Sequence, residues 1–171
     1  DGEVGEAWTS GPGHLHGYYR KTAANRESFK GKWFRTGDLM RRGDDSGYYL
    51  VGRMKDMVKR SGENISAAEV EACLNAMPGV AMAAVNPVPD QIRGEEVKAY
   101  IQLVPGRSQM DTPPQQVFQH CSEHLAGFKI PRYLAYVDAF PMTAGNDKVS
   151  KPKLTKGVGD LTLGAFDRVD E

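Results

Sequence analysis

The chain has 171 residues, and its 22 Lys+Arg balance 22 Asp+Glu to leave no formal net charge; 40% hydrophobic and 26% charged residues make an ordinary globular composition, enough for one domain or a small domain plus part of another. That balance argues against an electrostatic nucleic-acid binder, and the longest apolar run, Val80–Val85, falls far short of the ~20 residues of a membrane span. The first twenty residues lack the charged and apolar regions of a signal peptide, and Cys73 and Cys121, on separate predicted helices, read as free thiols of a reducing compartment, which predicts a cytoplasmic location.

Glycine and proline are unevenly spread, with eleven of 19 glycines in residues 1–62 and nine of ten prolines beyond residue 77. The first stretch reads as short strands: Ala7-Trp8-Thr9, Trp33-Phe34-Arg35 and Tyr48-Tyr49-Leu50-Val51, the last two joined by a turn at Asp44-Asp45-Ser46-Gly47. It starts with no initiator Met and nothing to cover its first strand, so a fragment of a longer chain is expected. Ser66-Ala67-Ala68-Glu69 has capping-box spacing ahead of an apolar stripe at Val70, Leu74 and Met77, closed by Pro78-Gly79. Val80–Val85 is a buried-strand candidate. From Glu96 to Val104, apolar Val97, Ala99, Ile101 and Leu103 alternate with Lys98, Tyr100 and Gln102, the pattern of a half-exposed strand. A second helix is expected behind Thr112, with Pro113 first, Gln115 completing its box, a Val117, Cys121 and Leu125 stripe, and Gly127 at its end. Tyr133–Val137 is the last strand, and the tail from Lys156 reads as loose. This order predicts an α+β fold: a β-rich piece, then a small α+β domain with helices packed on one sheet.

Four polar clusters interrupt the core pattern. Asp38, in Trp33-Phe34-Arg35-Thr36-Gly37-Asp38, follows a glycine at a predicted strand end; it could accept from a vicinal diol such as a ribose, or simply cap its own turn. Arg53, in Gly52-Arg53-Met54-Lys55-Asp56, offers a forked cation for sugar or phosphate, or is a solvated charge at a boundary. Lys59-Arg60-Ser61-Gly62-Glu63-Asn64-Ile65 reads as a flexible loop. Lys148 ends the turn-rich stretch from Pro141 to Lys151, where a mobile cation could enter a site and neutralise developing negative charge, although a surface lysine is the ordinary alternative. His120 and His124 share a helix face with Cys121 near, but no fourth ligand is apparent and no metal site is predicted.

In chain order, Gly2-Glu3-Val4-Gly5-Glu6-Ala7-Trp8, Gly11-Pro12-Gly13, Gly17-Tyr18-Tyr19, Trp33-Phe34-Arg35-Thr36-Gly37-Asp38, Gly47-Tyr48, Val51-Gly52-Arg53-Met54-Lys55-Asp56, Gly62-Glu63-Asn64-Ile65 and Ala68-Glu69-Val70-Glu71 closely resemble the AMP-forming adenylate synthetases: acyl-CoA synthetases, peptide-synthetase adenylation domains and luciferase. Asp56–Arg60, Ile92–Ala99, Phe128–Pro131 and Ala165–Arg168 look most like crotonobetaine/carnitine-CoA ligase-type enzymes.

The resemblance implies a C-terminal part of an enzyme that turns a carboxylic acid and ATP into an acyl-adenylate and pyrophosphate, then passes the acyl group to CoA. It implies that residues 1–54 end the large adenylation domain and that 55–171 form a mobile lid, with Lys55 as hinge. By the same resemblance Asp38 holds the ribose of ATP or AMP, Arg53 approaches that nucleotide, and Lys148 is the catalytic lysine, with Lys151 as rival because Asn146-Asp147 lengthen the usual turn. Ser61, Gly62 and Glu63 would line the path of the CoA pantetheine, with Ser61 where relatives carry a glycine; Phe128 and Arg132 would meet the CoA nucleotide. Mg²⁺, the phosphate loop and the acyl pocket would belong to the missing N-terminal region, so the chain alone is expected to be inactive. Alternatives are an adenylation domain serving a carrier protein and a non-catalytic nucleotide-binding or interaction module.

Overall fold

A computed structural model describes residues 2–144 and 148–169, which fall into two compact units, Asp1–Lys55 and Asp56–Glu171. Gly145, Asn146 and Asp147, part of the turn discussed above, lie outside the described residues.

The first unit is built on one long strand. Its elements are β1 (Val4–Thr9), α1 (Thr22–Ser28), β2 (Phe29–Lys30), β3 (Trp33–Arg42) and β4 (Tyr48–Arg53). β3 takes antiparallel β1 along one edge, and β2 followed by β4 along the other. The Asp44–Gly47 turn closes β3 onto β4 with Ser46 at φ +64°, the left-handed conformation expected of such a turn. Helix α1 has no apolar stripe and buries no residue, which is why periodicity does not reveal it. The Asn25 side chain, on that helix, instead clasps the backbone of Tyr18, accepting from its N–H at 2.7 Å and donating to its carbonyl at 3.0 Å.

The second unit comprises β5 (Met57–Arg60), β6 (Glu63–Ser66), α2 (Ala67–Asn75), β7 (Val80–Asp90), β8 (Gly94–Leu103), α3 (Pro114–His124), β9 (Tyr133–Tyr136), α4 (Lys151–Thr155) and β10 (Phe166–Asp167). β8 is its axis. It pairs antiparallel with β7 along its whole length and parallel with β9 on the opposite edge, β10 extends the sheet beyond β9, and the β5–β6 hairpin joins at Arg60 opposite Gly94.

The alternation predicted for β8 holds, but its second face is not half-exposed. Val97, Ala99 and Ile101 pack with Val70 and Leu74 of α2 and Val117 and Cys121 of α3 in the main core. Tyr100, on the reverse face, packs with Ala84, Ala135 and Phe140, and Met142, Val149, Leu154 and Ala165 close over them. Residues from Glu96 to Ile101 are therefore all buried. The expectation of a loose tail is also overturned: Lys98, 4% exposed, donates from Nζ to the Leu161 carbonyl at 2.6 Å, and Arg132 grips Asp167 at 2.8 Å and Asp90 at 3.2 Å. Glycines hid this because the tail contributes only scattered apolar residues, which cover a face already shaped by β8.

Both predicted helix caps need correction. Ser66 stands at the N-cap of α2 in extended conformation, but its side chain makes no capping bond, and Glu69 pairs with Lys129 at 2.6 Å instead of reaching back. Helix α3 starts one residue later than expected, with Pro113 as N-cap and Pro114 first; the Thr112 hydroxyl is buried without a partner. Proline fixes φ for a helix start without any side-chain bond.

Glu96 is fully buried and is neutralised by Arg60 at 2.7 Å and Arg93 at 3.0 Å. Glu96→Ala strands the largely buried Arg60 guanidinium, Arg93 remaining partly solvated, and should cost about 3–5 kcal/mol in urea unfolding. The Arg132 guanidinium holds the Asp167 carboxyl below the usual carboxylate range, chiefly by hydrogen bonding. A depressed folded-state pKa contributes stability above the unfolded value of ~3.9 that is lost as pH falls through the lower folded value. Acid unfolding profiles of wild type and Asp167→Asn should therefore converge at low pH and separate above about pH 4, wild type being the more stable.

Candidate functional site

Asp38 does not sit at a strand end. It lies inside β3, where the pairing with β1 slips between Glu6 and Trp8 and Gly37 takes φ +72°, and Asp38 is left without a register partner on β1. Asp38 pairs in register with Arg53 of β4, and Arg53 Nε donates to Asp38 Oδ1 at 2.9 Å. Thr36 steadies the bulge, donating from its hydroxyl to the Ala7 carbonyl at 2.8 Å and accepting from the Asp38 N–H at 3.0 Å. The two charged residues singled out from separate motifs thus form one ion pair.

Glu6 was quoted only as part of a motif, yet it organises this region. Its carboxylate accepts from Trp8 Nε1 at 2.7 Å, Arg35 Nε at 3.0 Å and the Gly37 N–H at 3.3 Å. These donors, Trp8 foremost, hold its pKa below the ordinary range, so it stays an anion that fastens β1 to the bulge. A half-buried acid within a strand was the available signal. Beside it an open cleft of about 430 Å³ is lined by Tyr18, Phe34, Thr36, Gly37, Arg53 and Lys55. Lys55 is exposed, in the single 3₁₀ turn Met54–Asp56. A cleft with an aromatic wall, a carboxylate–guanidinium pair at its margin and exposed cations suits a polar, anionic ligand such as a nucleotide.

In the second unit, Ser61 and Gly62 are not a flexible loop but the two-residue turn of the β5–β6 hairpin, at φ +51° and +86°, the positive pair that such a turn requires. Ser61 N–H donates to the Arg93 carbonyl at 2.9 Å, and Ser61, Gly62 and Glu63 are all exposed. A Cβ on Gly62 would meet nothing within 4 Å, so the surface there is open.

Lys148 and Lys151 separate clearly. Thr143 donates to the Lys148 carbonyl from its N–H at 2.8 Å and from its hydroxyl at 3.0 Å, and Met142 bridges Val149. The backbone is pinned while the Lys148 side chain is exposed, and no described residue pairs with its ammonium. Lys151 is half-buried and its Nζ lies 2.7 Å from Glu71 Oε1, which also accepts from the Val85 N–H. Phe128 is 37% exposed on the 3₁₀ turn Gly127–Lys129, with the Lys129 ammonium 5.7 Å from its ring centre. Arg132, by contrast, spends its guanidinium on Asp167 and Asp90, and chiefly its hydrogen bonds to Asp167 raise its pKa further. Its geometry is that of a clamp between β7, β9 and β10.

Residues 69–146 match the family model of the AMP-binding enzyme C-terminal domain. The chain is 38% identical over 155 residues to 2-succinylbenzoate–CoA ligase of Bacillus licheniformis, covering 90% of this chain and 31% of that protein. Among solved structures, it is similar to o-succinylbenzoate CoA synthetase from Bacillus subtilis in complex with the acyl-adenylate intermediate OSB-AMP (TM-score 0.78, 33% identity, 89% of this chain and 30% of that one). It is also similar to the anthranilate CoA ligase AuaEII in complex with anthranoyl-AMP (TM-score 0.79, 34% identity, 90% of this chain and 30% of that one). The chain thus spans about three-tenths of the length of these relatives.

The hairpin turn gives a direct test of its geometry. Gly62→Ala forces a side chain into the left-handed region and should cost about 1–2 kcal/mol, while Ser61→Gly should be neutral or slightly stabilising in the same urea titration.

Proposed function

We propose that this chain, whose residues 69–146 match the family model of the AMP-binding enzyme C-terminal domain, is the C-terminal part of an ATP-dependent, AMP-forming carboxylate–CoA ligase, with residues 1–54 closing the large adenylation domain and 55–171 acting as its lid. In the first half-reaction a carboxylate oxygen bonds to the α-phosphorus of ATP and the bond to pyrophosphate breaks. In the second, the CoA sulfur, having lost its proton, attacks the acyl carbonyl and AMP leaves. Two anions must meet in the first step, and at 4 Å their repulsion is about 4 kcal/mol at an effective dielectric near 20. A cation between them removes that barrier only if it is not already neutralised.

The observation that carries the reading is the contrast between the two lysines: Lys151 is bound to Glu71, and Lys148 projects from a pinned backbone with no partner among the described residues. Lys148 is accordingly the catalytic lysine. Asp38, oriented by Arg53 through Oδ1, has Oδ2 to accept from the ribose hydroxyls. Lys55 is the hinge. The open turn Ser61-Gly62 with Glu63 borders the pantetheine path, and Phe128 offers a face for the adenine of CoA. Arg132 is left to its structural clamp.

Mg²⁺ accompanying ATP would be held outside this chain, since the cluster of potential metal ligands among its described residues, Cys73, His120 and His124, offers sulfur and nitrogen where Mg²⁺ takes oxygen. The acid is proposed only as a carboxylic acid. Three of the four stretches that suggested a carnitine-type substrate serve the scaffold: Met57–Arg60 is β5, partly exposed Arg93 pairs with buried Glu96, and Phe166–Asp167 is β10.

In the longer enzyme, Lys148→Ala should slow carboxylate-dependent ATP–pyrophosphate exchange by about 10²–10³-fold, while thioester formation from supplied acyl-adenylate changes little. Lys151→Ala should instead lower the unfolding midpoint. Exchange at the wild-type rate in Lys148→Ala, or robust exchange by the 171-residue chain alone, would contradict the assignment.

A further inference from the structure

One group of chemically able side chains, of which Cys73 also packs against the main core, is not used by the proposed reaction. Cys73, late in α2, faces His120 and His124 in the last turn of α3, and one ligand atom from each, a sulfur or a ring nitrogen, lies within 4.8 Å of the others. The sequence suggested Cys121 as the thiol beside these histidines. That residue points into the core with no exposure, and the thiol that meets the histidines comes from the neighbouring helix.

Three features make this more than proximity. First, each imidazole has one nitrogen fixed by a backbone carbonyl: His120 Nε2 lies 3.0 Å from the Cys73 oxygen, and His124 Nδ1 lies 2.8 Å from the His120 oxygen. A carbonyl only accepts, so those nitrogens carry the protons, and His120 Nδ1 and His124 Nε2 are left with lone pairs. Metal-binding histidines are oriented by such bonds. Second, the rings are i and i+4 on one helix face, 4.4 Å apart and tilted by 33°. Third, the helices that carry the ligands are packed through buried Leu74, Val117 and Cys121, so the donors stand on rigid elements.

We propose that Cys73, His120 and His124 form a binding site for a divalent metal of borderline softness, Zn²⁺, with three protein ligands and a fourth position open to solvent. Sulfur with two imidazoles suits Zn²⁺ and disfavours Mg²⁺ and Ca²⁺. The open position follows from exposure: His124 is at the surface, and His120 also borders a shallow cleft of about 400 Å³ shared with Met77, Gln116, Gln119 and Glu123. Coordination replaces the Cys73 S–H by a sulfur–metal bond, the proton leaving to buffer, with no change of oxidation state. The site is separate from the residues assigned to nucleotide, acid and thiol, and it ties α2 to α3.

The test uses the tag-free 171-residue chain under reductant, with Co²⁺ as spectroscopic probe and Zn²⁺ as competitor. One equivalent of Co²⁺ should give a thiolate-to-cobalt charge-transfer band, abolished by Zn²⁺, and Zn²⁺ titrations in buffers of different ionisation enthalpy should report proton release. Cys73→Ser should remove the band. His124→Gln, at an exposed position that leaves the fold intact by circular dichroism, should weaken Zn²⁺ by more than the roughly 10–100-fold that loss of an outer partner costs. Absence of the band in the wild type, or a band and affinity unchanged in either variant, would overturn the site and mark any bound metal as adventitious.

Discussion

Strand β8 is buried on both faces, and the second unit is arranged to keep water off each of them. One face is closed by α2 and α3, as a helix-on-sheet layer would be. The other is closed by Phe140, Met142, Val149, Leu154 and Ala165. That covering is weak in apolar residues, so polar contacts secure it: the Arg132 clamp on Asp167 and Asp90, the Lys98 bond to Leu161, and the Lys151–Glu71 pair. Burying Lys98 lowers its pKa by desolvation, with Asp160 opposing the shift, and its ammonium lies 4.7 Å from the Tyr100 ring centre.

This constraint bears on the chemistry. Met142 and Val149 belong to the cover and bridge one another, with Lys148 directly before Val149. Anchoring them fixes where the Lys148 backbone emerges while leaving its long side chain in solvent. Lys151, three residues on, is consumed in holding α4 to α2. On the proposed reading, a lid that presents a cation to one half-reaction needs one anchored lysine and one unpaired lysine, and among the described residues Lys151 is the first and Lys148 the second. In the first unit the same logic uses opposite charge: Glu6 stays ionised to fix the bulge, and the bulge presents Asp38 to Arg53.

Much of this was legible because local pattern and tertiary role agree. The alternation of Val97, Ala99 and Ile101, the stripe of Val70 and Leu74, and the turn glycines all fall where the fold needs them. Asp38 and Arg53 were visible as motifs, but their pairing depends on the β3–β4 register, which shifts between Leu39 and Met40. Helix α1 was missed because nothing in it is buried. The cover of β8 was missed because periodicity reports one face of an element and is silent on what lies over the other. The α2 cap lost Glu69 to a tertiary pair with Lys129, the α3 cap was displaced by a proline start one residue on, and the thiol facing the two histidines was missed because it comes from another helix. Arg132 illustrates a further limit: a cation matched by position to a ligand contact is engaged here by two carboxylates.

The most direct measurement of the central claim is competitive lysine labelling by acetic anhydride, read residue by residue by mass spectrometry on the longer enzyme with and without ATP and its acid. The account predicts fast labelling of Lys148 in the free enzyme, protection as adenylate accumulates, and slow labelling of Lys151 throughout. Equal labelling of the two lysines, indifferent to ATP and acid, would contradict it.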